Sequence, residues 1–213
     1  HPDLSPNEPG DAAGAVTIMV IPRYDVKQPD APLPDRFFLD AICKYVDERR
    51  LITTEIFLRA PVYKPVWISV GINITADKSA SEVREFVKQD LLGFLAPLNP
   101  AAFGLFNENN TKIYKGWQLR KPVTAKELSA VASRSSGVMF VNDISVAEGT
   151  NDAAEQITMN GLELPRVMGI SVSIGDPLPL SGLRGTSLSG TGDGANQSRK
   201  RRIVPVPVIP ENC

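Results

Sequence analysis

The sequence predicts an α+β chain built from two small α/β units. Three observations carry that prediction. Residues 66–75 (VWISVGINIT) alternate strictly: Val66, Ile68, Val70, Ile72 and Ile74 fall on one side, Trp67, Ser69, Gly71, Asn73 and Thr75 on the other. That period of two marks a strand with one buried face. Two stretches, 35–50 and 79–97, carry apolar residues at helical spacing behind an Asp or Ser able to cap a helix. Short apolar runs bounded by Pro and Gly lie before and after each stretch, as strands bounded by turns do. The second unit is expected to be a split-βαβ, ferredoxin-like sandwich, with two helices on one face of a mainly antiparallel sheet.

The elements follow in order. Residues 1–14 are rich in Pro, Gly and Asp and read as a flexible lead-in. Residues 15–60 form a strand–helix–strand unit. Its first strand is AVTIMVI, stopped by Pro22. A loop with Pro29, Pro32 and Pro34 follows, then a helix from Asp35 to Arg50 with Phe38, Leu39, Ile42, Cys43 and Val46 on one face. Arg49 and Arg50 suit the negative end of that helix dipole. Residues 53–58 are β-rich and end before Pro61. Residues 61–176 form the sandwich. A Pro-punctuated turn at 61–66 opens the alternating strand. Ser79 and Glu82 are placed as a capping box for a helix with Val83, Phe86, Val87, Leu91, Phe94 and Leu95 inward. An irregular stretch, 98–122, precedes a second capping box, Thr124 and Glu127. That box opens a short helix closed by Gly137. Short strands are expected at 138–146, 156–159, 162–164 and 168–174. Residues 177–213 are a Gly/Ser/Pro-rich basic tail from which no core can be built, expected to be disordered or ordered by a partner.

Composition narrows the function classes. The 213 residues hold 23 Lys plus Arg against 24 Asp plus Glu, a net charge of −1, so no bulk charge favours nucleic acid or a membrane surface. No apolar run reaches the ~20 residues that span a bilayer. The start has neither an initiator Met nor a basic-then-apolar signal, so the chain reads as a fragment or processed product. Cys43 and Cys213 are the two cysteines. Cys43 lies on the apolar helix face and reads as a buried free thiol. A disulfide has no support from the sequence, and a reducing compartment fits better.

Catalytic and metal chemistry find little to use. The single histidine is His1, which removes a His-based triad and zinc sites built on two or three histidines from this stretch of chain. The pair Asp47 and Glu48 sits beside Arg49 and Arg50 and reads as a solvated helix end. Asp152 and Glu155 fall in a loop, and either pair would need a cleft to act as acid and base. The glycine cluster 190–194 neither follows a strand nor opens a helix, so it lacks the geometry of a phosphate loop. The basic run 199–202 has no interleaved aromatics for stacking bases. No cofactor and no metal are expected. Four residues stand out as candidate interface groups: Tyr63 and Trp67 near the start of the alternating strand, and Trp117 and Arg120 in the loop before the second capping box. Trp117 either folds back onto the core or anchors a partner, Trp being enriched at binding hot spots. The small polar face around Trp67 reads as one that a neighbouring subunit could cover.

Several ordered motifs carry a family resemblance. Tyr45-Val46-Asp47-Glu48-Arg49-Arg50 precedes Leu51-Ile52-Thr53-Thr54. Pro61-Val62-Tyr63-Lys64-Pro65-Val66 follows, and then Phe94-Leu95-Ala96-Pro97. Gly116-Trp117 with Arg120 comes before the capped helix, Ser136-Gly137-Val138 before the next strand, and Leu164-Pro165 with Gly169-Ile170 and Val172 near the end. In order and spacing, over residues 15–175, this resembles the C-terminal part of baseplate J-like assembly proteins, wedge components of contractile phage tails and related injection systems. Two departures stand out: the loop 101–115 is longer and richer in Asn than the family's turn, and the tail after Pro177 has no counterpart. The resemblance implies a structural protein without catalytic activity. It implies partners among other wedge subunits, tail tube or hub and sheath proteins, in a sixfold ring. It also implies assembly in the bacterial cytoplasm into a phage tail or tail-like particle, without nucleic acid or membrane insertion. The run 45–76 is then the junction that orients the two units.

Three other readings compete. A ferredoxin-like ligand-binding or regulatory module would need an apolar pocket with a few convergent polar groups. An RNA-binding sheet would need stacked aromatics and a basic face, and the strand at 66–75 offers one aromatic and no Lys or Arg. An enzyme would need its catalytic half before His1.

Overall fold

The computed structural model describes residues 14–98 and 116–184. The lead-in 1–13, the loop 101–115, the glycine cluster, the basic run and the tail from 185 lie outside the described residues.

The first unit is β1 (Ala15–Met19), α1 (Arg36–Asp47) and β2 (Glu55–Arg59). The two strands pair in parallel, with Thr17 opposite Phe57. Parallel pairing requires a crossover, and α1 supplies it. Asp35 caps α1 by accepting the Phe38 amide at 2.7 Å. Arg49 donates to the Tyr45 carbonyl at the other end at 2.8 Å, so both helix termini find partners. Leu39 packs with Val20, Ile56 and Leu58, and Ile42, Cys43 and Val46 lie against them. Cys43 departs from expectation: it is half-buried and disulfide-bonded, so it is not a buried free thiol.

The second unit centres on β3 (Val62–Ile74), flanked by β5 (Val138–Glu148) and β7 (Glu163–Ile174). β5 runs antiparallel to β3 and β7 runs parallel to it, so the sheet is mixed rather than mainly antiparallel. It has three strands among the described residues, and the ferredoxin-like expectation is met only as a mixed α+β layer. The two short segments expected at 162–164 and 168–174 are one continuous strand. Pro165 is tolerated there because β7 is an edge strand, where no second neighbour needs its missing amide. The expected turn at 61–66 is confined to its first residues, since β3 already runs from Val62.

The helices α2 (Ala80–Leu95) and α3 (Ala125–Ser133) cover one face of this sheet. Val66, Ile68, Val70 and Ile72 are fully buried beneath Val83, Val87 and Leu91 of α2 and Leu128 and Ala132 of α3. Each such side chain is worth roughly 1.5–3 kcal/mol of transfer free energy. Asp90 on α2 accepts from the Ser135 hydroxyl at 2.5 Å, a buried link between α2 and the segment after α3. Thr124 caps α3 as expected, accepting the Glu127 amide at 3.3 Å. Ser79 does not cap α2: its hydroxyl bonds Ser81 instead, at 2.7 Å. A two-stranded pair, β4 (Val123–Thr124) with β6 (Gln156–Ile157), closes the end of the core.

The opposite sheet face is covered by the chain itself. The segment 175–184, with the single-turn helix α4 (Leu180–Leu183), lies across it, and Leu180 is buried. The expectation of a disordered or partner-ordered tail from 177 onward is corrected for residues 177–184, which pack on the chain's own sheet. The reason they pack is the small floor under them: Ser69, Gly71 and Ser171 leave room for a backbone to approach.

Candidate interaction surface

Tyr63 lies at the junction of the two units. Its hydroxyl donates to the Pro32 carbonyl at 3.0 Å, fastening the 22–34 loop to the start of β3. Beside it, Arg166 of β7 pairs with Asp30 of the same loop at 2.8 Å. Burial pushes the Tyr63 phenol well above its ordinary range, and the negative charge of Asp30 adds to that push, with Arg166 opposing it. The hydroxyl therefore stays protonated and able to donate beyond the neutral range, into alkaline conditions where an ordinary tyrosine ionises. Met19 and Ile21 reach from the first unit to the larger core, so the clasp has an apolar side as well.

A crevice of about 550 Å³ opens next to this clasp, lined among the described residues by Tyr24, Pro32, Leu95, Pro97, Pro165 and Val167. Its size falls in the range of small-molecule sites. Its charged groups, Arg23 and Asp30, already have partners within the chain. A second, more polar groove of about 690 Å³ follows the outer edge of β5, past Lys126, Asn142, Asp143 and Gln156.

Trp67 is half-buried. Its ring lies over Gly169 on the paired strand, and Leu183 approaches the same glycine from α4. Ser69 donates to the Leu178 carbonyl at 2.6 Å. The expectation that a neighbouring subunit covers the face around Trp67 is therefore corrected for these residues: segment 175–184 occupies it.

Trp117 folds back onto the core and is 7% exposed. Its ring meets Phe94 edge-on at 5.5 Å, and its indole N–H donates to the Lys121 carbonyl at 3.1 Å. The Lys121 ammonium lies 4.6 Å from the Trp117 ring centre and 4.9 Å from that of Phe94, and also pairs with Glu127 at 2.5 Å. One short loop thus satisfies an aromatic pair, a cation and a helix start. Arg120 is exposed on the same loop beside Leu119, with a left-handed φ of 61°.

The four candidates therefore do not converge on one patch. Tyr63 and Trp117 are engaged inside the chain, Trp67 lies under α4, and Arg120 faces solvent. An apolar stripe on α1 went unnoticed in the sequence: Phe37 and Tyr45 are 83% and 62% exposed, with the Arg49 guanidinium 3.9 Å over the Tyr45 ring. Phe37 was a readable sign, because two positions before Leu39 it falls on the opposite side of the helix from the face of Leu39, Ile42, Cys43 and Val46. The paired carboxylates are solvated as expected: Asp47 bonds Arg50 at 2.6 Å and Glu48 bonds Arg49 at 3.2 Å. Among the described residues, no cluster of His, Cys, Asp or Glu could hold a metal, and no helix is long and apolar enough to cross a membrane.

This arrangement recurs among solved structures. The chain matches part of a chain in the cryo-EM structure of the anti-feeding prophage (AFP) baseplate, 6-fold symmetrised, with a TM-score of 0.50 and 15% sequence identity. The fold is similar to part of a baseplate chain. The match covers 74% of this chain and 30% of the other, so this chain spans less than a third of that protein's length. No protein-family model matches the sequence, and no curated protein matches it. The shared feature is the backbone arrangement, since at 15% identity few side chains correspond.

Proposed function

We propose that this chain is a structural component of the baseplate of a contractile tail or phage-tail-like injection system, of the J-like wedge type. In that role it makes wedge and ring contacts around the tube and couples to sheath contraction without catalysing a reaction. The observation that carries this reading is the backbone likeness to a baseplate chain over 74% of the sequence. The ordered motifs across residues 15–175 point the same way by a separate route. The clasp of Tyr63, Asp30 and Arg166 suits such a part, because it fixes two small units as one piece that can re-dock as a body when a ring rearranges. The partners are other wedge subunits, tube or hub proteins and sheath proteins.

The test is reconstitution. The chain is mixed with the remaining baseplate proteins from the same particle, and mass is followed by light scattering after size exclusion. Co-elution in an assembly with ring-shaped particles by electron microscopy is expected. A chain that stays monomeric in that mixture overturns the reading.

A further inference from the structure

α1 carries a second apolar face that nothing among the described residues covers. Phe37, Ala41 and Tyr45 are spaced four residues apart, so they share one stripe, turned away from the buried Leu39. Phe37 is 83% exposed and Tyr45 62%. Exposed large apolar residues extend the stripe at both ends: Leu33 before the helix, Leu51 and Ile52 after it. An apolar patch of this kind on a folded chain marks a surface that another molecule covers. The Arg49 guanidinium, 3.9 Å over the Tyr45 ring, holds that ring in place against the helix.

Three features fit the stripe to a second copy of itself. The first is its order, large–small–large, symmetric about Ala41. A second α1 lying antiparallel across it, with Ala41 of both copies at the two-fold axis, sets Phe37 of each against Tyr45 of the other. The small Ala41 side chain lets the two backbones approach at the crossing. The second feature is charge. Asp40 and Lys44 stand one turn apart along one flank of the stripe, and neither makes an ion pair with a described residue. The two-fold axis sets that flank against its own copy, so Asp40 of each α1 comes opposite Lys44 of the other. The third feature is the two ends. In an antiparallel pair the Leu33 end of one helix reaches the Leu51 and Ile52 end of the other, so apolar groups meet apolar groups. The positive start of each helix then lies beside the negative end of its partner.

We propose that two copies of this chain pair through α1, antiparallel about Ala41. The pairing stands on the exposed face of α1 and does not rest on the baseplate reading. Its contact is short, one helix of 12 residues with its two ends, so it is a reversible association at the low end of interface sizes.

The test uses the full chain in sedimentation velocity over a concentration series, in four forms: unaltered, Phe37→Ser, Asp40→Lys, and Asp40→Lys combined with Lys44→Asp. Urea melts check that each form is folded. The unaltered chain is expected to pass reversibly from monomer to dimer as concentration rises. Phe37→Ser should weaken the dimer at least about tenfold. Asp40→Lys sets lysine against lysine and should weaken it about three- to tenfold, and the double exchange should restore it. A chain that stays monomeric across the series, a dimer indifferent to Phe37→Ser, or a double exchange as weak as Asp40→Lys alone overturns the proposal.

Discussion

Gly71 in the central strand lies directly beneath Gly175. A Cβ at Gly71 would overlap the Gly175 carbonyl oxygen and the backbone of Asp176 and Pro177. All three are main-chain atoms, so no side chain can swing away to make room. Gly71→Ala is therefore expected to lift segment 175–184 from the sheet and cost about 1–3 kcal/mol. Urea denaturation measures the loss. Faster protease cleavage within 175–184 shows where it arises, and unchanged cleavage with unchanged stability would mean that the strap does not rest on Gly71.

Trp117 separates two roles that its position in the sequence could not. Its ring is held by Phe94 and Lys121 within the chain. Trp117→Ala should cost about 3–5 kcal/mol in the isolated chain. An anchor for a partner would behave otherwise, leaving stability intact and weakening association only. Arg120 on the same loop is exposed, and Arg120→Ala should change stability by no more than about 0.5 kcal/mol. Arg120→Gly should range from neutral to about 1 kcal/mol stabilising, because glycine adopts the left-handed φ without the Cβ clash. Thermal or urea melts of the three variants decide both points.

What the sequence revealed follows from how local each signal is. The alternation of residues 66–74 requires only the chain's own pattern, and Val66, Ile68, Val70 and Ile72 are buried as it predicts. Asp35 and Thr124 likewise cap their helices with groups three residues away. Pairing partners are not local. Nothing within residues 163–174 says that they run parallel to β3 beside it, and Pro165 looks like a break until its edge position is known. Gly71 did carry a signal, since an isolated glycine in a strand often marks close backbone approach. The approaching segment lies at 175–177, too far along the chain for local pattern to name it. Tyr63, Trp67, Trp117 and Arg120 stood out by residue type, but type alone does not tell a partner contact from an internal clasp.

Ser135 and Asp90 form a buried pair far apart in sequence. Ser135→Ala leaves the Asp90 carboxyl short of one buried hydrogen bond and should cost about 1–3 kcal/mol. The loss should appear as faster exchange around Asp90 in α2 and at the end of α3, because the pair joins those two places. Exchange unchanged at both would mean that the link is incidental to their packing.

Lys64 and Glu163 give stability a pH dependence whose sign is fixed by their geometry. They pair at 2.9 Å, with Glu148 3.6 Å from the same ammonium. Burial pushes the Glu163 carboxyl up, but the Asn160 amide and the hydrogen bond and charge of Lys64 together hold it below the ordinary glutamate value of 4.5. A carboxyl whose folded pKa is depressed stabilises the fold above its unfolded pKa. That contribution fades as pH falls from about 4.5 through the lower folded value. Lys64→Met removes the cation and leaves the carboxylates without it, costing roughly 1–3 kcal/mol at neutral pH. As the Glu163 carboxyl takes up its proton that deficit should shrink. Urea midpoints measured in steps from neutral pH into the acid range should therefore converge for the unaltered and Lys64→Met chains below the ordinary glutamate pKa. A constant gap would mean that Lys64 contributes through its hydrogen bond to the Thr158 carbonyl, at 3.0 Å, and the packing of its stem rather than through the carboxylates.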